Sequence, residues 1–132
     1  MRFMLFMHPG LEEGADWMPS AEDVATMERY NEELRRAGVL LELSGLHPTS
    51  EGALVRFATG KPVVEDGPFG EAKEVVGGYW LIQAASTREA VEWATRVPAS
   101  GDAYIEVRRV HEMDEFPPEL QAAAGHDPSK ES

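Results

Sequence analysis

The residues best placed to do chemistry lie between Val64 and Leu81, VEDGPFGEAKEVVGGYWL, where a tight turn, a cluster of charge and a strand entry follow one another. In Asp66-Gly67-Pro68-Phe69 the glycine permits positive φ, the proline fixes its own φ, and the aspartate can accept a backbone hydrogen bond across the turn. So rigid a turn has a structural reading and a functional one. In the functional reading it aims the Asp66 carboxylate into a pocket, where partial burial suits it to general acid or base work. Glu71, Lys73 and Glu74 form either a solvated charged loop or an ion-paired network that positions an anionic or hydroxylated ligand, with Lys73 the cation. The ligand-binding set is then Gly67, Pro68, Phe69, Glu71, Lys73 and Glu74, with Asp66 as the acid or base. His8, beside Pro9-Gly10, is the candidate proton-transfer partner, because a histidine near a carboxylate exchanges protons near neutral pH. His47, in the Gly45 to Pro48 loop, is the alternative. His111 and His126 fall at or beyond the end of the domain.

No pair among the four histidines has ligand spacing, so no metal is expected. No GxGxxG, GxxxxGK[ST], GxSxG or HExxH pattern occurs either, and no cofactor is expected. The absence of Cys excludes disulfides and thiol nucleophiles and suits a reducing compartment. Against 24 acidic residues stand 12 basic ones, a net charge of −12, which argues against binding a phosphate backbone. The apolar opening MRFMLFM is too short for a signal core or a membrane span, so the expected location is cytoplasmic, with no membrane partner.

Several elements must position these groups. Arg2 to His8 reads as a buried first strand. Ser20 with Asp23 is a capping box, and Met27, Tyr30, Leu34 and Ala37 recur at helical spacing until Gly38. Val39 to Leu43 is a second strand. Ala53 to Ala58 and Pro62 to Glu65 flank Thr59-Gly60-Lys61 as a hairpin. Tyr79 to Ala84 is a strand, Ser86 with Glu89 caps a second helix bearing Ala90, Trp93, Ala94 and Val97, and Ala103 to Val110 is the last strand. Trp93 and Trp17 are read as core and loop packing.

This order predicts an α+β domain over residues 1–113: a ferredoxin-like, split βαβ antiparallel sheet with two helices on one face and an inserted β-hairpin. The uncovered face, if it carries Trp80 and Ile82, needs a partner, and a homodimer packed sheet to sheet is the economical one. Residues 114–132 form an acidic tail with little core signal, expected to be mobile at its end.

With DGPF followed by GEAKE and GGYWL, the sequence resembles YciI-related proteins of the DGPF subfamily. MRFMLFM, LRRAGV and EVRRV agree, and the resemblance spans about residues 1–111. It implies a dimeric α+β barrel with a pocket between sheet and loops. Most such proteins have no assigned activity, enzymes are expected among them, and many are encoded beside, or fused to, extracytoplasmic-function sigma factors. The wider group is associated with a His and Asp pair whose His lies on the first helix; Met27 occupies that place here. The function expected is cofactor-free acid-base chemistry on a small polar or anionic metabolite at the DGPF turn. The alternative is a non-enzymatic partner of a sigma factor.

Overall fold

A computed structural model describes residues 1–10 and 19–125. Trp17, His126 and the end of the tail lie outside the described residues. Along the chain run β1 (Arg2–His8), α1 (Ala21–Arg36), β2 (Leu40–Gly45), β3 (Ala53–Arg56), β4 (Val63–Asp66), β5 (Gly78–Gln83), α2 (Thr87–Thr95), β6 (Tyr104–Arg109) and α3 (Pro118–Ala123). Short 3-10 turns occupy Thr49–Glu51, Ala72–Glu74 and Met113–Glu115.

Local chemistry starts and stops the helices. At α1 the Ser20 hydroxyl accepts from the Asp23 amide at 3.0 Å, and the Asp23 carboxylate accepts from the Ser20 amide at 3.4 Å. Two of the four orphan amides of a helix start are thereby engaged. Glu22 and Asp23 in the first turn and Arg35 and Arg36 in the last match the helix dipole. Gly38, at φ +72, gives the left-handed exit. Ser86 caps α2 by accepting from the Glu89 amide at 3.1 Å.

The main sheet has the order β2-β5-β1-β6, and each neighbouring pair is antiparallel. β3 and β4 form a separate hairpin. The fold is thus α+β and ferredoxin-like. Because strand side chains alternate, Phe3, Leu5 and Met7 of β1 share a face with Trp80 and Ile82 of β5 and with Ile105 and Val107 of β6. α1 and α2 lay Tyr30, Leu34 and Ala90 on that face to make the core, in which Phe3, Leu5, Leu34 and Ile82 are fully buried. Met27 packs at its edge.

Trp80 stands at the centre. Its indole N–H donates to Asn31 Oδ1 at 2.8 Å, and its ring meets Tyr30 edge to face at 5.6 Å. The Tyr30 hydroxyl donates to the Trp93 carbonyl at 2.8 Å. Burial pushes that phenol up to about 12, so it stays a donor across the ordinary pH range.

The sequence reading ties the need for a partner to Trp80 and Ile82 lying on the uncovered face, and here the structure corrects it: both lie under the helices. Opposite them, half-buried Met4, Phe6, Tyr79 and Leu81 form the other face. Tyr79 donates to Glu42 there at 2.7 Å. The reversal has a simple cause. Both phases of β5 are apolar, so alternation alone does not say which one meets the helices; pairing with β1 decides it.

Beyond β6, Arg2 grips Glu112 with two hydrogen bonds, at 2.6 and 2.9 Å. The stretch in which the sequence shows little core signal carries α3, whose Gln121 is buried and donates to the Phe116 carbonyl at 2.8 Å.

Ile82→Ala should lower stability by about 2–5 kcal/mol, the cost of losing a fully buried aliphatic side chain and leaving a cavity. Urea titration checks this, and a loss below about 1 kcal/mol would contradict the placement of Ile82 in the core.

Candidate functional site

The DGPF turn takes its shape from one close approach. Gly67 follows β4, and a Cβ built on it would sit 1.6 Å from the carbonyl oxygen of Thr49. No side chain fits there. The Gly67 amide donates to the Gly52 carbonyl at 2.9 Å, and the Phe69 amide to the Thr49 hydroxyl at 3.2 Å. The Gly67-Pro68 peptide is cis. The turn is therefore seated on the Thr49–Glu51 turn, with the Phe69 ring against Gly52.

Between these two turns, the hairpin and the Val75-Val76 segment lies a cavity of about 660 Å³. Leu46, Leu54, Phe69 and Val75 give it apolar walls, and His47, Glu51, Arg56 and Glu74 bring charge to it. His47 Nδ1 lies 2.6 Å from Glu51 Oε2, and Arg56 Nε donates to Glu65 at 3.0 Å. An ionised carboxylate only accepts, so Nδ1 carries the proton and Nε2 is left to exchange one. Both members of the His47–Glu51 pair are well exposed, which makes the contact energetically weak but keeps it accessible.

Of the residues singled out in the sequence, Phe69, Glu74 and the alternative histidine, His47, border this cavity. Gly67 shapes its rim. Pro68, Glu71 and Lys73 are not in its lining, and Lys73 pairs loosely with Glu71 at 3.9 Å, both side chains about three-quarters exposed. Asp66 is exposed and also outside the lining. The hairpin register explains why: Asp66 pairs with Ala53 and Val64 with Val55, so these four share one face, whereas Leu54 and Arg56, which line the cavity, point to the other. On the Asp66 face Val55 and Val64 are at least half exposed, and Phe57 just beyond β3 is 67% exposed.

His8 pairs with Glu106, its Nε2 lying 3.0 Å from Glu106 Oε1. Strand pairing sets His8 opposite Tyr104, and the two rings stack at 4.4 Å, nearly parallel at 5°. The imidazole is buried, and its Nδ1 has no hydrogen-bond partner among the described residues. The hydrogen bond from His8, then that from Arg108, holds the Glu106 carboxyl below the ordinary glutamate range. The His47–Glu51 pair is a local four-residue spacing that a turn after Pro48 brings together. The His8–Glu106 pair depends on β1 lying against β6 and has no local signal.

Fold and cavity define a small antiparallel α+β domain with a ligand-sized cleft beside an inserted hairpin. Residues 1–114 match the model of the YCII-related domain, and the chain belongs to that family. An uncharacterised protein of Rhizobium meliloti (strain 1021) is 34% identical over 85 residues, which cover 61% of this chain and 68% of that one.

Gly67→Ala should unseat the turn from Thr49, lowering the melting temperature and loosening the cavity rim; an unchanged melting temperature would contradict the close approach. A second expectation concerns pH. Because the folded-state pKa of Glu106 is depressed, its contribution to stability is present above about pH 4.5, the ordinary glutamate value, and is lost as pH falls through the folded value. Melting curves from pH 6 to about pH 2 should therefore fall less steeply for Glu106→Gln than for the wild type. Equal slopes would remove the ion pair from the account.

Proposed function

We propose that this chain is a cofactor-free small-molecule protein of the DGPF branch of its family, working in the cytoplasm as a homodimer and using acid-base chemistry in the cavity beside the DGPF turn. The observation that carries the reading is the 660 Å³ cleft with a histidine–carboxylate pair on its border. Glu51 orients His47 and favours the tautomer that leaves Nε2 free, an arrangement suited to moving a proton in an isomerisation, elimination or hydrolysis. Arg56 spends its Nε on Glu65, which leaves its terminal N–H groups for an anionic group of the ligand. The ligand this lining suits has a compact apolar body and one polar or anionic end. Asp66 and Lys73 hold no position in this scheme.

Dimerisation is proposed through the face of the main sheet that carries Met4, Phe6, Tyr79 and Leu81. A sheet with helices on one side leaves an apolar surface on the other that a second copy covers economically.

A second reading, a non-enzymatic partner of a sigma factor, is favoured by the charge of −12, which complements a basic protein surface, and by the exposed apolar face of the hairpin.

A thermal-shift screen of small hydroxy acids, lactones and related carboxylates, run on the wild type, His47→Gln and Asp66→Asn, tests the first reading. A ligand at 100 times its Kd stabilises by about 2.7 kcal/mol, a shift of several degrees for a domain this size. The expected result is a shift in the wild type and in Asp66→Asn that shrinks in His47→Gln. A shift lost only in Asp66→Asn would move the site off the cavity, and no shift with any compound would favour the second reading. Sedimentation of Leu81→Lys tests the dimer, with a folded monomer expected and a dimer like that of the wild type counting against this face.

A further inference from the structure

One wall of the cavity is the segment from Ala72 to Val76, of which Glu74, Val75 and Val76 form part of the lining. At its far end it is well anchored: the Gly77 amide donates to the Met7 carbonyl at 2.7 Å, and the Gly77 carbonyl accepts from the Leu46 amide at 2.9 Å. At its near end the Ala72–Glu74 turn closes on itself, with the Glu74 amide donating to the Glu71 carbonyl at 2.8 Å. Glu71, Lys73 and Glu74 are all exposed, and the buried side chain of the segment, Val75, lies just beyond the turn.

What ties it to the main sheet is Tyr104. The phenol at the start of β6 donates to the carbonyl of Lys73, and among the described residues this is the hydrogen bond linking the turn to a strand of that sheet. A tyrosine can hold a loop in this way only if its own ring is fixed. Its ring is 44% exposed, but it stacks flat on His8, which is buried and clamped through Nε2 by Glu106. Glu106 is in turn steadied by Arg108 at 3.3 Å. The arrangement runs without a break from the edge strand β6, by way of the end of β1, to the cavity wall: Glu106 to His8, His8 to Tyr104, Tyr104 to the backbone of residue 73.

We infer that Tyr104 is a positioning residue for the cavity, with its hydroxyl holding the wall at Lys73 and the His8–Glu106 pair acting as the platform that fixes the phenol. This explains what a buried histidine does some way from the cavity lining: it supplies a rigid flat surface. It also gives the DGPF-adjacent charges a place in the design, because the turn that bears Lys73 is recruited through its main chain, so its side chains remain in water.

The functional meaning of the inference rests on the cavity reading above, but its test does not. Amide hydrogen exchange, resolved residue by residue in the full chain, reads the wall directly with no ligand present. Tyr104→Phe keeps the ring and its stack and removes only the hydroxyl. The expected result is that the Glu74 amide exchanges about five-fold faster, the ratio for a net hydrogen-bond loss of ordinary size, while the amides of Gly77, β1 and β5 are unchanged. His8→Ala, which takes away the platform, should speed the same amide, and His8→Phe, which restores a flat ring, should return it toward the wild-type rate. An unchanged Glu74 amide in Tyr104→Phe overturns the inference, as does equal acceleration of all amides, which marks general destabilisation. Failure of His8→Phe to rescue would overturn the part assigned to the stacked ring. If no ligand is ever found for the cavity, the exchange result still stands or falls by itself.

Discussion

The placement of β1 between β5 and β6 is the constraint from which most of the rest follows. A strand paired on both sides cannot slip by one residue without turning Phe3 and Leu5 out of the core and Met4 and Phe6 into it, which buried area alone makes costly. With that register fixed, Trp80 must face Asn31 and Tyr30, His8 must lie opposite Tyr104, and the Met7 carbonyl must meet the Gly77 amide. The same strand thus arranges an apolar core on one side and, at its end, the polar cluster that supports the cavity wall.

The cavity itself depends on a different kind of constraint, one of close approach between backbones. Gly67 and Thr49 come together where no Cβ fits, and the two turns they belong to carry His47 and Glu51 on one and Phe69 on the other. The hairpin between them supplies Leu54 and Arg56 from one of its faces. Around the cavity, His47 and Arg56 are each set against a glutamate, and Glu74 adds a further carboxylate to the lining.

Much of the fold was legible in the residue pattern because it is written locally. Ser20 with Asp23 and Ser86 with Glu89 mark helix starts by side-chain chemistry within four residues, and Gly38 marks an end by its backbone freedom. The turn at Gly67 was legible as a turn, and Phe69 and Glu74 border the cavity that it helps to form. What requires its glycine, though, is the approach of Thr49 from a distant turn and not the positive φ that the sequence reading allowed it. What the pattern could not convey was direction. Asp66 sits in the right turn, yet its pairing with Ala53 turns it to the face opposite Arg56. Trp80 and Ile82 alternate correctly, yet a strand apolar in both phases does not announce which phase the helices cover. Glu106 stands 98 positions from His8, so their meeting is a property of the sheet and of no segment within it. His47 and Glu51 needed only a short turn after Pro48, a signal that was present and weaker than that of the neighbouring glycines.

The outer face of the hairpin, with Val55, Val64 and Phe57 turned to water, has a colloidal consequence. Two exposed strands bearing such side chains invite edge-to-edge or face-to-face association between copies, and the long-range force opposing it is the shared negative charge of the chain. That force vanishes where positive and negative charges balance, near pH 4.7, while the apolar face is unaltered there. Solubility should therefore be poorest in the narrow acidic interval around that point and better on both sides of it, and added salt should shrink the advantage of neutral pH by screening the repulsion.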